Sequence, residues 1–194
     1  TVCSRNPVKH HCEGSIVGQY WTLTSYDCMD IDIRLVMRVQ RLLVRSKTLE
    51  CTNNNVPHKD HIVVKYLYKE TISSGIALLK VQQPFDNFNK VRVLLPLPFQ
   101  NFPLRTKVTL AGWAHIRYTR KSSRELRYVT LSLVGIDDCD KSEALEDHLL
   151  CAKGSKWDDT CQAYLGGAVV SNRIQIGNSV NIIIITNVAK IKID

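Results

Sequence analysis

The sequence predicts an all-β fold in two halves, and three observations carry that prediction. Short segments rich in β-branched residues recur between turn signals. Helical periodicity is scarce. Pro84, Pro96, Pro98 and Pro103 bracket the middle of the chain, and a residue without a backbone N–H cannot sit in a central ladder. In chain order, the predicted strands are Ile31 to Arg38, His61 to Tyr68, Ile76 to Val81, Val108 to Trp113, Arg127 to Leu133, Ala168 to Val170 and Ile182 to Asn187. The proline-marked connection divides an N-terminal half, about 1–95, from a C-terminal half, about 104–194. Two pieces are predicted helical: Asp137 to Leu145, whose acidic start suits a helix N-terminus, and the tail from Asn187 to Asp194.

With 194 residues and 44% apolar composition, the chain can bury a sizeable core. Its most apolar run, Ile182 to Ile185, is far too short to span a bilayer. The chain opens at Thr1 in strand-like sequence without a signal peptide, as expected of a processed or truncated protein. Seven cysteines point to an oxidising compartment, hence to secretion, and the odd number leaves at least one without a partner in the chain. A net charge of +8, from 26 Lys+Arg against 18 Asp+Glu, favours acidic partners.

Two basic segments are candidate anion-binding surfaces. One, around Arg117, Arg120, Lys121, Arg124 and Arg127, has no apolar period and reads as an exposed loop, for which simple solvation is the plainer explanation. The other, with Arg34, Arg38, Arg41, Arg45 and Lys47, alternates partly with apolar residues and is placed on the outer face of a strand pair. Aromatic residues are not interleaved among these cations as a stacking platform requires, so nucleic acid is not expected as a partner. His58 and His61 have the spacing of a zinc pair, but no cysteines or carboxylates flank them in a ligand pattern. No phosphate loop, dinucleotide fingerprint or calcium loop is present, and no cofactor or metal is expected.

Three segments, in order, carry a family resemblance. His11-Cys12-Glu13-Gly14-Ser15-Ile16, followed by Trp21-Thr22-Leu23-Thr24-Ser25-Tyr26-Asp27-Cys28, resembles the trypsin-family CGGS(I/L) and W(V/I)LTAAHC motifs. Ser74 to Val81 is similar to DIALLKL, and Asp159 to Val170 to DSCQGDSGGP(L/V)V. Val108 to Trp113 and Leu150-Cys151-Ala152 match between them. The resemblance implies a trypsin-like double six-stranded β-barrel with a cleft between the barrels.

It also implies that the catalytic machinery is gone. The family histidine falls on Asp27, the aspartate that orients it on Gly75, and the nucleophilic serine on Leu165. A leucine has no nucleophilic atom. Ala163 replaces a glycine of the oxyanion hole, and Tyr164 the aspartate that pairs with the N-terminal amine on activation. Asp159 matches the aspartate that receives a Lys or Arg substrate, but an isoleucine of the Ile182 to Ile185 run is expected to fill that pocket. The family pairing joins Cys12 to Cys28 and Cys139 to Cys151, leaving Cys3, Cys51 and Cys161 unassigned, with Cys3 to Cys51 conceivable.

Complete triad loss, with the Ser-Tyr-Asp-Cys and Ala-Tyr-Leu-Gly-Gly motifs, resembles the scabies mite inactivated protease paralogues, relatives of mite trypsin-like allergens. That resemblance implies a secreted parasite pseudoprotease that inhibits host complement by binding initiator components such as mannose-binding lectin, properdin or the first classical-pathway component. The alternative is a basic glycan binder, resembling the inactive heparin-binding protease homologues of granulocytes. An enzyme of another kind built on Asp27 lacks a base, nucleophile or metal beside it and ranks last.

Overall fold

The computed structural model of the chain describes residues 1–5, 8–30, 42–50, 53–69, 75–113, 126–138, 149–154, 165–179 and 184–187. The first half is a seven-stranded antiparallel sheet. Its strands are β1 (Val2–Arg5), β2 (Val8–Cys12), β3 (Ser15–Gly18), β4 (Trp21–Ser25), β5 (Leu42–Ser46), β6 (Lys59–Lys69) and β7 (Ile76–Val81), in the order β2-β1-β5-β6-β7-β4-β3. Only Glu13 and Gly14 separate the two edge strands β2 and β3 in the chain, so the sheet must curl until its edges meet there. Counted as one strand broken at that point, β2 and β3 bring the total to six.

The second half holds β8 (Lys107–Gly112), β9 (Arg127–Val134), β10 (Leu149–Lys153), β11 (Ala168–Ser171), β12 (Ile174–Ser179) and β13 (Ile184–Asn187). They form a closed barrel in the order β10-β13-β12-β11-β8-β9. The architecture is thus a trypsin-like double β-barrel, as the sequence predicts.

Each barrel has its own apolar core. Val2, Leu42, Val44, Val63, Leu79, Val81 and Phe85 fill the first. Val108, Leu110, Leu131, Leu133, Val169 and Ile176 fill the second. β8 shows the period-two rule plainly, because Val108 and Leu110 are buried while Lys107, Thr109 and Ala111 face outward.

Strands β1 to β5, β10 and β12 lie outside the predicted set, the predicted strand Ile31 to Arg38 lies outside the described residues, and β4 shows why strands are missed. Thr22, Thr24 and Ser25 are all buried, so an apolar–polar alternation does not mark its inner face. Two of these hydroxyls have partners that the fold supplies: Thr24 Oγ1 donates to the Glu13 carbonyl at 2.7 Å, and Ser25 Oγ donates to Asp27 Oδ2 at 3.0 Å.

The helices differ from expectation. At the start of the piece predicted over Asp137 to Leu145 there is a 3₁₀ turn, Ile136–Asp138, and residues 139–148 lie outside the described residues. Asn187, predicted to open the terminal helix, ends β13 and pairs with Gly177; 188–194 lie outside. Two short helical turns were not expected, α1 (Asp27–Asp30) and α2 (Phe88–Val91).

Candidate functional site: the meeting of β4, α1 and the turn before β11

β4 ends at Ser25, whose buried hydroxyl organises the start of α1. Asp27 N–H donates to Ser25 Oγ at 3.3 Å, and Ser25 Oγ donates to Asp27 Oδ2 at 3.0 Å, so the serine ties down the first residue of the helical turn. Tyr26 N–H donates to the Gly75 carbonyl at 3.0 Å, and Ser25 Oγ lies 3.5 Å from the same oxygen. Asp27 and Gly75 are therefore held together, one opening α1 and the other just ahead of β7.

Leu165 arrives from the second barrel. Its carbonyl accepts the Glu13 N–H at 2.9 Å, and its side chain is half-buried against the first barrel's core. The next residue, Gly166, has a φ of 76°, and a Cβ there would stand 2.7 Å from the Glu13 carbonyl oxygen and 3.0 Å from Cys28 Sγ. Only a glycine lets the two barrels approach this closely. Cys28 is joined to Cys12. The three sequence-predicted positions, Asp27, Gly75 and Leu165, thus come into one region.

The chemistry on offer there is sparse. Leu165 contributes hydrocarbon. Ser25 and Thr24 are the nearby hydroxyls on β4, and both are fully buried and committed to structural bonds. Asp27 can accept but has no described imidazole beside it. Tyr26 stacks on Tyr68 with ring centroids 5.0 Å apart, and Tyr66 follows at 6.0 Å from Tyr68.

A buried polar brace supports the site from behind. Ser15 Oγ on β3 donates to Gln175 Oε1 on β12 at 2.6 Å. Gln175 Nε2 donates to Asn178 Oδ1 at 2.7 Å, and Asn178 Nδ2 donates to the Gly166 carbonyl at 3.1 Å. One chain of bonds therefore ties both barrels to the Leu165–Gly166 turn.

Sequence reading missed Glu13. It is buried, and its Oε1 accepts the Trp113 N–H at 2.8 Å. His10 Nε2 lies 3.2 Å from the same oxygen but is not aligned as a hydrogen bond. The available signal is that Glu13 stands at a glycine of the CGGS motif. Beside it, a cavity of about 460 Å³ opens along the seam between Ile16, Val44, Ala111, Trp113 and Val170.

Arg45 requires a correction. The sequence places it on an exposed basic face, but its side chain is buried. Nε and Nη2 bond the two Asp60 oxygens at 2.8 and 2.9 Å, and Nη2 also bonds Asn54 Oδ1 at 2.9 Å. β5 and β6 place Arg45 directly opposite Asp60, so the pair forms with the hairpin. Burial alone would raise the Asp60 carboxyl, but the hydrogen bonds and charge of Arg45 outweigh it and hold the pKa below the usual range.

Nearby, Lys47 and Lys59 both bond Asp86 at 2.7 Å and hold its pKa down to about 2. The ring of His61 lies 4.5 Å from that of Phe85, and its Nε2 is 3.1 Å from Ser46 Oγ. Burial pushes its pKa below the ordinary value, against the pull of the Gln83 carbonyl.

Arg38, Arg41, Arg117, Arg120, Lys121, Arg124, Cys139, Asp159, Ala163 and Tyr164 lie outside the described residues. Cys151 is disulfide-bonded.

The trypsin family model matches residues 2–187, nearly the whole chain. The chain belongs to the trypsin family. Trypsin-1 of Salmo salar is 24% identical over 176 residues, covering 87% of this chain and 69% of the relative. Trypsin-2 of the same species is likewise 24% identical, covering 72% of the relative.

Among solved structures, a double mutant of human heparin binding protein superposes with a TM-score of 0.81 at 15% identity, covering 97% of this chain and 85% of that one. Scabies mite inactivated protease paralogue S-I1 gives 0.72 at 16% identity, covering 92% and 82%. At those identities the superpositions establish the fold. One of these trypsin-fold neighbours is thus named an inactivated protease paralogue, another a heparin binding protein.

Proposed function

We propose that this trypsin-family chain is a secreted pseudoprotease that acts by binding. The observation that carries the reading is Leu165: a hydrocarbon side chain, half-buried against the first barrel's core, at the position where the family motif has its nucleophile. Asp27 and Gly75 at the other two triad positions supply neither base nor orienting carboxylate. The partner we assign is a host complement initiator, on the motif resemblance to the scabies mite paralogues, with which the fold is consistent. A double barrel with its loops freed from substrate access is a rigid platform for such an interface.

One observation favours a second reading, an anionic glycan as ligand: the net charge of +8, together with a neighbour named for heparin binding. The decisive experiment pairs an amidase assay on Lys and Arg substrates with a complement-lysis assay and binding to purified initiators across a salt series. We expect no turnover, reduced lysis in at least one pathway, and initiator binding that survives physiological salt. Undiminished lysis with steeply salt-sensitive heparin binding favours the glycan. Substrate turnover refutes both readings.

A further inference from the structure

Three large apolar side chains of the connector between the barrels stand in solvent: Leu97 is 74% exposed, Phe99 66% and Leu104 64%. Leu94 and Leu95 beside them are exposed too. Isolated surface leucines are ordinary, but a dense group of apolar side chains marks an interaction site.

The backbone beneath them is held firmly. Gln100 N–H donates to the Leu97 carbonyl and Leu97 N–H to Gln100 Oε1, both at 3.0 Å, closing one turn. Thr106 closes the next with its N–H and Oγ1 on the Pro103 carbonyl at 3.2 and 2.6 Å, while Arg105 N–H donates to the Leu133 carbonyl at 2.7 Å. Leu94 is anchored to the second barrel through the Arg173 carbonyl and the Gln175 N–H. Phe99 has a φ of 60°, a left-handed conformation that disfavours a bulky residue. The fold gains no core packing from a phenylalanine in that place.

The stretch itself carries charge of one sign. Lys90, Arg92, Arg105 and Lys107 are exposed, and Arg173 is exposed beside Leu94. Residues 87–124 contain no Asp or Glu. Among the described residues, none of the five cations is in an ion pair.

We propose that residues 90–107 form a docking surface for an anionic lipid membrane. Leu97, Phe99 and Leu104 enter the interfacial layer while the flanking cations bind lipid headgroups. Apolar side chains on two successive turns suit a lipid interface, which needs no shape complementarity, better than a protein interface, which needs a packed core. Leu97, Phe99, Leu104 and the five cations do not line the cavity beside Glu13.

The test is co-sedimentation of the full chain with vesicles of phosphatidylcholine alone and of roughly three parts phosphatidylcholine to one part phosphatidylserine. We expect binding to the phosphatidylserine vesicles, little to phosphatidylcholine, and loss as salt rises. The doubles Leu97→Ser/Phe99→Ser and Arg92→Glu/Arg105→Glu should each bind at least about tenfold more weakly. Lys65→Glu, on an exposed face of β6, should bind as the parent does. Thermal melts establish that each variant is folded.

Equal binding to both vesicles, no binding at low salt, or full binding by the Leu97→Ser/Phe99→Ser protein overturns the proposal. So does a Leu97→Ser/Phe99→Ser protein that loses binding to complement initiators but keeps its vesicle binding, since the surface would then belong to a protein partner.

Discussion

Gly166 and Arg45 show how single residues hold this site. The φ of 76° at Gly166, with Glu13 O and Cys28 Sγ crowding the space a side chain would enter, leaves no room for a methyl group. Gly166→Ala combines backbone strain with overpacking, and we expect it to destabilise the protein by about 3 kcal/mol, measured by urea unfolding. Arg45 is different, because its removal leaves a carboxylate that the fold has already partly taken from water. Arg45→Met should cost about 2 to 3 kcal/mol, at or below the low end for breaking a buried pair since Asp60 is still a third exposed. It should leave heparin affinity unchanged. A drop in that affinity without loss of stability would return Arg45 to the binding surface.

At the scale of the element, the β5–β6 hairpin concentrates the groups that make stability depend on pH. Burial depresses the His61 pKa, so the folded state prefers the neutral ring. The unfolded chain takes up its proton near 6.5, whereas the folded chain does so only lower. This contribution is therefore complete above about pH 6.5 and is lost as pH falls from there through the folded pKa. Asp86, held down to about 2 by Lys47 and Lys59, and Asp60, held down by Arg45, act in a separate window. Their contributions are present above the ordinary value of 3.8 and fade as pH falls below it. Urea midpoints at pH 7.5 and 5.0 separate the two: the parent should lose stability between them, and His61→Gln should lose less.

Across the whole molecule, the two barrels are joined by the brace from Ser15 through Gln175 and Asn178 to Gly166. Gln175→Ala strands Ser15 and Asn178 in a buried site, and we expect a cost of about 2 to 4 kcal/mol. The brace also sets the Leu165–Gly166 turn against β4. The reversion Asp27→His/Gly75→Asp/Leu165→Ser should remain inactive toward Lys and Arg substrates, because Ala163 and Tyr164 still depart from the family motif. It should also melt below the parent, since it returns polar groups to an apolar contact. Turnover by the reverted protein would show that the Ala163 and Tyr164 substitutions do not by themselves prevent it.

By itself, the sequence determined whatever is written in local pattern. The alternating buried residues of β8 and the apolar run Ile76 to Val81 announce strands, and the ordered motifs around Cys12, Gly75 and Gly166 announce the family. The same motifs name Asp27, Gly75 and Leu165. Tertiary structure decided the rest, because long-range partners change what a residue is. Thr24 and Ser25 look like surface residues until the fold hands their hydroxyls Glu13 O and Asp27. Arg45 looks like a solvent-facing cation until β6 places Asp60 opposite it. Glu13 is unremarked in the chain, yet it is buried between barrels where the Trp113 N–H reaches it from a hundred residues away. Periodicity reports which face of a strand avoids water, but the partner that satisfies a buried polar group lies elsewhere in the chain, and only folding brings it there.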